Sequence, residues 1–166
     1  AGFQVALMAP TELLAEQHAR NFRSWFDGLQ IPVALLSGRL TGKARQSALQ
    51  AIATGVDVPL VIGTHALFQD GVKFGKLGLM IIDEQHRFGV RQRLALRDKG
   101  LSERHVPHQL IMTATPIPRT LAQTAYADLD VSIVDELPPG RTPVTTIVVN
   151  ESRRDEVVAR IAHACG

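Results

Sequence analysis

The stretch that decides the fold is LMIIDEQH at residues 79–86, where four apolar residues are followed at once by Asp83, Glu84, Gln85 and His86. An apolar run that stops at two carboxylates predicts a buried strand that delivers both acids to one edge of a sheet. Adjacent acids at such an edge suit nucleotide hydrolysis, because one can hold Mg²⁺ through water while the other takes a proton from the attacking water. An aspartate at this position is equally suited to cap the next helix. The tetrapeptide alone leaves both interpretations open.

The composition is that of an ordinary globular protein. The chain has 166 residues, of which 45% are hydrophobic and 20% charged, which is enough for one domain with a real core. A net charge of +2 permits contact with nucleic acid without requiring it. No apolar run approaches the roughly 20 residues that span a bilayer, so we expect no membrane association. The single cysteine, Cys165, fits a reducing compartment, and we expect a cytoplasmic location.

Strand and helix patterns alternate along the chain. Short, apolar, β-branched strands between helices predict an α/β fold, with a parallel sheet covered by helices on both faces. Thr41 and Gly55 are expected at the two ends of the second helix. We predict strands at residues 3–8, 33–36, 60–62, 79–82, 109–112, 131–134 and 144–149. We predict helices at residues 12–26, 41–53, 90–98, 119–126 and 155–164, and a short helical turn at residues 66–68.

Four predicted strands are followed by small, hydroxylated or ionisable residues. Ligands of open α/β sheets bind at the carboxyl ends of the strands, so these four loops would meet at one edge. One such loop would be unremarkable, because helix caps favour Ser, Thr and Asp. Four together predict an active-site rim. Besides the acidic tetrapeptide, the loops hold Pro10 and Thr11; Gly63, Thr64 and His65; and Thr113, Ala114 and Thr115.

These loops, in this order, resemble the first motor domain of superfamily-2 helicases. The strings that carry the resemblance are MAPTELLAEQH at residues 8–18, IIDEQHRFGV at 81–90, TATPIPRTL at 113–121 and DELPPGRTP at 135–143. Together they look like the RecG family of bacterial branch-migration helicases. The resemblance covers nearly the whole chain.

The resemblance implies a RecA-like motor domain of the P-loop NTPase type, present here in truncated form. Residues 1–136 would be the carboxyl-terminal part of the first motor domain. The proline-rich residues 137–143 would be a linker, and residues 144–166 would start a second motor domain. The implied activity is that of an ATP-dependent DNA helicase that remodels forks and junctions in recombination and repair.

Two alternatives remain open from the residues themselves. The transcription-repair coupling translocase shares the TATPIPRTL string, but its acidic box usually carries an extra glutamate that this chain lacks, and the PPGR linker also favours the RecG family. The other alternative belongs to a different functional class. It is a non-catalytic α/β module that binds nucleic acid or a protein partner.

The resemblance assigns ATP and Mg²⁺ to the acidic tetrapeptide. Asp83 would hold Mg²⁺ through water and Glu84 would polarise the lytic water, while Gln85 and His86 would sense the phosphate. Consecutive strand residues point to opposite faces, so both acids can face one phosphate only if the strand has ended. Ile82 is the last apolar residue of the run, which satisfies that condition.

The other loops are assigned to coupling and to DNA. Thr113, Ala114 and Thr115 would couple hydrolysis to DNA movement through hydroxyl hydrogen bonds to the acidic box, although helix capping is an alternative for the threonines. The loops at Pro10 and Thr11 and at Gly63, Thr64 and His65 would touch the DNA backbone, since hydroxyls and free amides at helix starts suit phosphate oxygens. Arg119 is a further candidate phosphate contact, with a solvated arginine as its alternative.

A phosphate-cradling P-loop, G-x-x-x-x-G-K-[ST], does not occur in these 166 residues. Neither Gly-Lys pair completes this motif, because Gly42 and Lys43 have Ser37 five positions before Gly42 and Ala44 after Lys43, and Gly75 and Lys76 are followed by Leu77. Because the chain also begins without methionine and opens at once into a strand, we expect a segment of a longer protein. We expect the segment alone to show no appreciable ATPase or unwinding activity, because it would need the cradle and the second motor domain.

Overall fold

The computed structural model describes residues 2–84, 106–114, 130–142 and 144–165. The chain divides into two compact units, Ala1–Leu121 and Ala122–Gly166. In the part of the chain that the structure describes, no helix is long and apolar enough to cross a membrane.

The first unit contains a sheet and two helices within its described residues. The helix predicted at residues 12–26 is confirmed with the same bounds, and the predicted strands differ from the observed ones by at most two residues at either end. The strands are β1 (Gln4–Met8), β2 (Val33–Leu36), β3 (Leu60–Gly63), β4 (Leu77–Ile82) and β5 (His108–Ile111), the helices are α1 (Glu12–Phe26) and α2 (Gly42–Thr54), and short 3₁₀ turns lie at Asp27–Leu29 and His65–Phe68.

The five strands run parallel in the order β2-β3-β1-β4-β5. The first strand in the chain therefore lies in the centre, between β3 and β4. The chain builds one side of the sheet with β2 and β3 and then crosses β1 to build the other side. The predicted α/β fold with a parallel sheet is confirmed.

Both faces of the sheet are covered. Along β1, Ala6 and Met8 belong to one buried cluster and Leu7 to the other, as expected when successive strand residues point to opposite faces. The first cluster includes residues of α2, whereas α1 contributes Ala15 and Ala19 to the second. Because small side chains let the helix approach the sheet closely, α1 packs directly against this face of the sheet.

The helix ends follow the signals in the sequence. Thr11 precedes α1 in an extended conformation, and its hydroxyl accepts the N–H of Leu14 at 3.3 Å. Thr41 occupies the corresponding position before α2, although no capping bond from its side chain is present. Gly55 ends α2 with a left-handed φ of 69°, a conformation that glycine adopts without strain.

A buried glutamine ties the start of β1 to its surroundings. Gln4 is fully buried, and its Nε2 donates to the main-chain oxygens of Ile52 at 3.0 Å and Val58 at 3.1 Å. Its Oε1 accepts the N–H of Lys76 at 3.0 Å. Leaving a buried polar group without a partner costs about 1–3 kcal/mol, so this side chain helps to fix β1 against the end of α2 and the approach to β4.

Two predicted strands are wrong. Residues 131–134 and 144–149 form no strand, although both segments are rich in β-branched residues. Val134 is 92% exposed and Val148 is 95% exposed. Neither segment pairs with another segment among the described residues. Strand formation depends on a paired neighbour and on burial more than on intrinsic preference.

In the second unit, the described residues form one helix, α3 (Arg154–Cys165), which confirms the helix predicted at residues 155–164. A 3₁₀ turn at Glu151–Arg153 leads into it. The helices predicted at residues 90–98 and 119–126 lie outside the described residues.

Candidate active site at the carboxyl edge of the sheet

The strands of the sheet end at the same level. In the parallel register, Met8 of β1 lies beside both Gly63 of β3 and Ile82 of β4. Leu36 of β2 lies beside Gly63, and Ile111 of β5 lies beside Ile82. The loops that follow these strands therefore start from one row, as the sequence predicts for an active-site rim.

The centre of this row is the switch point of the fold. The chain leaves β1 through α1 towards β2, whereas it leaves β4 towards β5 on the opposite side. In open α/β sheets such a divergence opens a crevice that binds ligands. Asp83 lies at this crevice, because its N–H donates to the main-chain oxygen of Met8 at 2.9 Å.

A histidine that the sequence motifs did not single out holds the side chain of Asp83. Nε2 of His18, on α1, lies 2.9 Å from Oδ2 of Asp83. Because an ionised carboxylate only accepts hydrogen bonds, Nε2 carries the hydrogen and donates it. The side chains are 26% and 20% exposed, so the contact is partly shielded from water. Both the main chain and the side chain of Asp83 are thus restrained.

Glu84 adopts a left-handed conformation with φ of 50°, which is costly for a residue with a side chain. Because β4 ends at Ile82, this backbone turn comes directly after the strand. Oε2 of Glu84 lies 3.5 Å from the main-chain nitrogen of Ala114, a long and weak hydrogen bond. The turn therefore directs Glu84 towards the loop after β5, while Asp83 reaches towards α1.

The loop after β5 is described only in part. Thr113 and Ala114 are exposed. The main chain of Ala114 contributes a contact with Glu84, and hydroxyl contacts from the threonines to the acidic box stay a prediction. Four candidate residues lie outside the described part, namely Gln85, His86, Thr115 and Arg119.

Pro10 and Thr11 join β1 to α1 and are partly exposed. The hydroxyl of Thr11 caps α1, so the capping role considered for such residues is present here. Capping uses one lone pair of the hydroxyl oxygen and leaves its hydrogen available to another acceptor. The loop lies at the amino end of a helix, where the helix dipole favours an anion.

The Gly63, Thr64 and His65 loop places only one side chain at the surface. A Cβ atom on Gly63 would lie 2.5 Å from the main-chain oxygen of Leu36, so glycine is required by the packing of β3 against β2. Thr64 is 3% exposed, and its hydroxyl has no hydrogen-bond partner in the described part of the chain. His65 is exposed. A ligand of this loop would meet His65 or main-chain groups.

A second set of contacts that the sequence did not predict ties the loop after β2 to α1. Oε1 of Glu12 accepts the N–H of Gly38 at 2.8 Å. Arg39 bridges Glu12 at 3.1 Å and Glu16 at 2.9 Å. The acidic first turn of α1 was visible in the sequence, but its partner lies on a loop whose position depends on the strand order.

The acidic pair has the chemistry of a hard-cation site. Asp83 and Glu84 are adjacent, partly exposed carboxylates, and carboxylate oxygens suit Mg²⁺. Among the described residues, no group of three or more His, Cys, Asp or Glu side chains could hold a metal ion by itself. One or two carboxylates suffice where substrate phosphates and water complete the shell, as is usual for Mg²⁺.

Comparison with known proteins identifies close relatives. The sequence model of the family described as DEAD/DEAH box helicase matches residues 1–124. The ATP-dependent DNA helicase RecG of Pasteurella multocida (strain Pm70) is 68% identical over 164 residues, which are 99% of this chain and 24% of that protein. The RecG protein of Escherichia coli (strain K12) is 64% identical over 164 residues, with the same coverage.

A solved structure agrees with these sequence matches. RecG bound to a three-way DNA junction superimposes with a TM-score of 0.75 at 44% sequence identity, covering 97% of this chain and 21% of that chain. The present chain therefore spans about a quarter of the length of the relatives that it matches.

Proposed function

Because this chain belongs to the DEAD/DEAH box helicase family, we propose that it forms part of the motor of an ATP-dependent DNA helicase that remodels branched DNA. The named relatives, at 68% and 64% identity, are ATP-dependent DNA helicases, and the matching structure holds a three-way DNA junction. They favour this function over the transcription-repair translocase and over a non-catalytic module. Forks and junctions in recombination and repair are the expected substrates, and a cytoplasmic, nucleoid-associated location follows.

The observation that carries this proposal is the position of Asp83 and Glu84 in the fold. Both follow β4 at the switch point, where α/β folds bind their ligands. Phosphoryl transfer asks little covalent chemistry of a protein and depends on positioning and charge neutralisation. An acid for the metal and an acid for the attacking water are two of the parts that it needs.

The residues fit Mg²⁺–ATP through two different tasks. Asp83, restrained by His18, would hold Mg²⁺ through water, and the bound ion would neutralise charge on the phosphates. Glu84 would orient the attacking water and accept its proton. The left-handed turn at Glu84 supports this division, because it sends the two carboxylates towards different neighbours.

The DNA contacts would come from loops on the same edge. Pro10 and Thr11 lie at the amino end of α1, where main-chain N–H groups suit phosphate oxygens. His65 is exposed on the neighbouring loop after β3. Contacts with phosphates do not depend on the base sequence, and a motor that moves along DNA needs contacts of this kind. Thr113 and Ala114, near Glu84, would relay hydrolysis to movement.

The phosphate cradle would come from another part of a longer protein. β5 is an edge strand of the described sheet, and its apolar residue Leu110 is 49% exposed. An unpaired edge of this kind accepts a further strand. We infer that a strand with its Gly-rich loop pairs there, with residues 137–143 as the linker to a second motor domain.

The test uses the full-length protein that contains this segment. ATP turnover is measured with a three-way DNA junction and with a linear duplex of the same sequence. Wild-type protein should hydrolyse ATP faster with the junction, and Asp83→Asn should lose this turnover. Asp57→Asn, the same change at an exposed loop residue, should not. Wild-type turnover in Asp83→Asn, or no junction-dependent turnover in the wild type, would contradict the proposal.

A further inference from the structure

The contact between His18 and Asp83 joins α1 to the acidic pair, and the proposed function gives these two parts of the site separate roles. His18 belongs to α1, the helix that begins at the loop proposed to touch DNA, and Asp83 belongs to the acidic pair. They are 65 residues apart in the chain, with Nε2 and Oδ2 separated by 2.9 Å. None of the roles assigned above from the motifs requires a histidine at this position.

We propose that His18 is a positioning residue for Asp83, a role that rests on the proposed function. By donating its Nε2–H to Oδ2, His18 holds one carboxylate oxygen and leaves the other available, and that oxygen would bind Mg²⁺ through water. Partners of this second layer orient groups that bind a metal, and their loss typically weakens metal binding about 10- to 100-fold.

The packing of α1 makes His18 a firm support. Ala15, one helical turn before His18, is fully buried against the sheet, with 0% exposure, and Phe22, one turn after His18, packs against the same buried cluster. Residues three or four apart lie on the same face of a helix, so the imidazole is directed towards the strand ends. Since the main chain of Asp83 is bonded to Met8, the carboxylate is restrained from two sides.

The same geometry argues against a role in stability alone. The side chains are 26% and 20% exposed, and a single hydrogen bond typically contributes only about 0.5–1.5 kcal/mol to stability. A polar side chain in the sheet-facing stripe of a helix also forgoes the burial that leucine would supply. The position is therefore better explained by orientation of Asp83 than by folding energy.

The experiment measures metal binding without turnover in the full-length protein. Mn²⁺ replaces Mg²⁺, a non-hydrolysable ATP analogue replaces ATP, and free Mn²⁺ is followed by electron paramagnetic resonance. The variants are His18→Leu, which keeps the bulk but removes the donor, and His18→Gln, whose amide nitrogen reaches about as far as Nε2. Asn21→Leu is the matched control, because Asn21 is an exposed residue of α1. Thermal unfolding checks that each variant is folded.

We expect His18→Leu to raise the Kd for Mn²⁺ about 10- to 100-fold, His18→Gln to recover most of the loss, and Asn21→Leu to match the wild type. Unchanged Mn²⁺ affinity in folded His18→Leu would overturn the role of His18, as would a loss that His18→Gln does not recover. Failure of the wild type to bind Mn²⁺ with the analogue would instead contradict the proposed function itself.

Discussion

The N–H of Asp83 donates to the main-chain oxygen of Met8 at 2.9 Å, so the acidic pair is bonded to the central strand through its backbone. This bond continues the ladder between β1 and β4 by one residue beyond the register that ends at Ile82. Because the anchorage lies in the main chain, substitutions of the acidic side chains should leave the sheet intact. Changes in activity at Asp83 and Glu84 can then be attributed to chemistry.

Glu84→Gly should stabilise the protein and inactivate it. The left-handed φ of 50° costs about 1–2 kcal/mol for a residue with a Cβ atom, and the extra chain entropy of glycine costs about 0.5–1 kcal/mol. The free energy of unfolding should therefore rise by about 0.5–1 kcal/mol while ATP turnover is lost. Urea denaturation and a turnover assay on the same preparation measure both.

Gln30→Gly is the control for Glu84→Gly. Gln30 is exposed, has a left-handed φ of 52° and lies away from the acidic pair at the end of a 3₁₀ turn. It should show a similar gain in stability with unchanged turnover. A stability loss in both glycine variants would contradict the assignment of backbone strain at these positions.

Thr11→Asp should separate capping from DNA contact. Aspartate caps a helix at least as well as threonine, so the unfolding midpoint should change little. A carboxylate next to a DNA phosphate would repel it by about 1 kcal/mol at 4 Å in water, so the Kd for DNA should rise roughly fivefold to tenfold. Fluorescence anisotropy at fixed salt measures this Kd, with Thr11→Ser as the control that keeps both roles. Wild-type affinity in Thr11→Asp would exclude a phosphate at this loop.

Gln4→Leu should be strongly destabilising. The change leaves the oxygen of Val58 and the N–H of Lys76 without the partner that Gln4 supplies, and it removes one of two hydrogen bonds to the oxygen of Ile52, which also accepts the N–H of Gly75 at 3.3 Å. At about 1–3 kcal/mol for each buried group left unpaired, partly offset by relaxation, the loss should be at least about 2 kcal/mol. The urea midpoint measures it, and Gln50→Leu on the exposed face of α2 is the control. Equal midpoints for the two variants would contradict the role given to Gln4.

The ion pair between Arg153 and Glu156, at the start of α3, should be lost in acid. Arg153 donates two hydrogen bonds to Glu156, at 2.8 Å and 2.6 Å, and these lower the pKa of Glu156 below its usual 4.5. Because the pKa is lowered, the contribution of the pair to stability is present above about pH 4.5 and is lost as the pH falls through the pKa of Glu156 in the folded protein. A carboxyl titration followed by nuclear magnetic resonance should show the lowered pKa, and Arg153→Gln should raise it towards the usual value. An unshifted Glu156 in the wild type would contradict the contact.

Local patterns predicted the first unit well. The predicted bounds of α1 match the observed ones, and the cap that Thr11 forms lies directly beside the helix, so the whole signal falls within one short stretch of sequence. Gly55 ends α2 because glycine alone adopts its left-handed conformation without strain. The carboxyl-edge row follows from the parallel sheet, which the alternating pattern predicted.

Contacts between distant segments could not be predicted in the same way. The hydrogen bond from His18 to Asp83 depends on the neighbouring positions of β1 and β4, which become known only with the strand order. A polar residue in the buried stripe of α1 was the one signal available for it. The two wrong strands, at residues 131–134 and 144–149, fail for the same reason, because their partners are set by the surroundings and not by the segment itself.

The central claim is that Glu84 activates water for ATP hydrolysis, and Glu84→Gln in the full-length protein tests it most directly. The change removes the proton acceptor but keeps the size of the side chain and leaves the main-chain bond between Asp83 and Met8 in place. We predict a nucleotide Kd within about twofold of the wild type, because Gln keeps the shape of the site, and a DNA-stimulated turnover rate about 10²- to 10⁴-fold lower. Glu151→Gln is the exposed control, and its Kd and turnover rate should match the wild type. Wild-type turnover in Glu84→Gln would contradict the account.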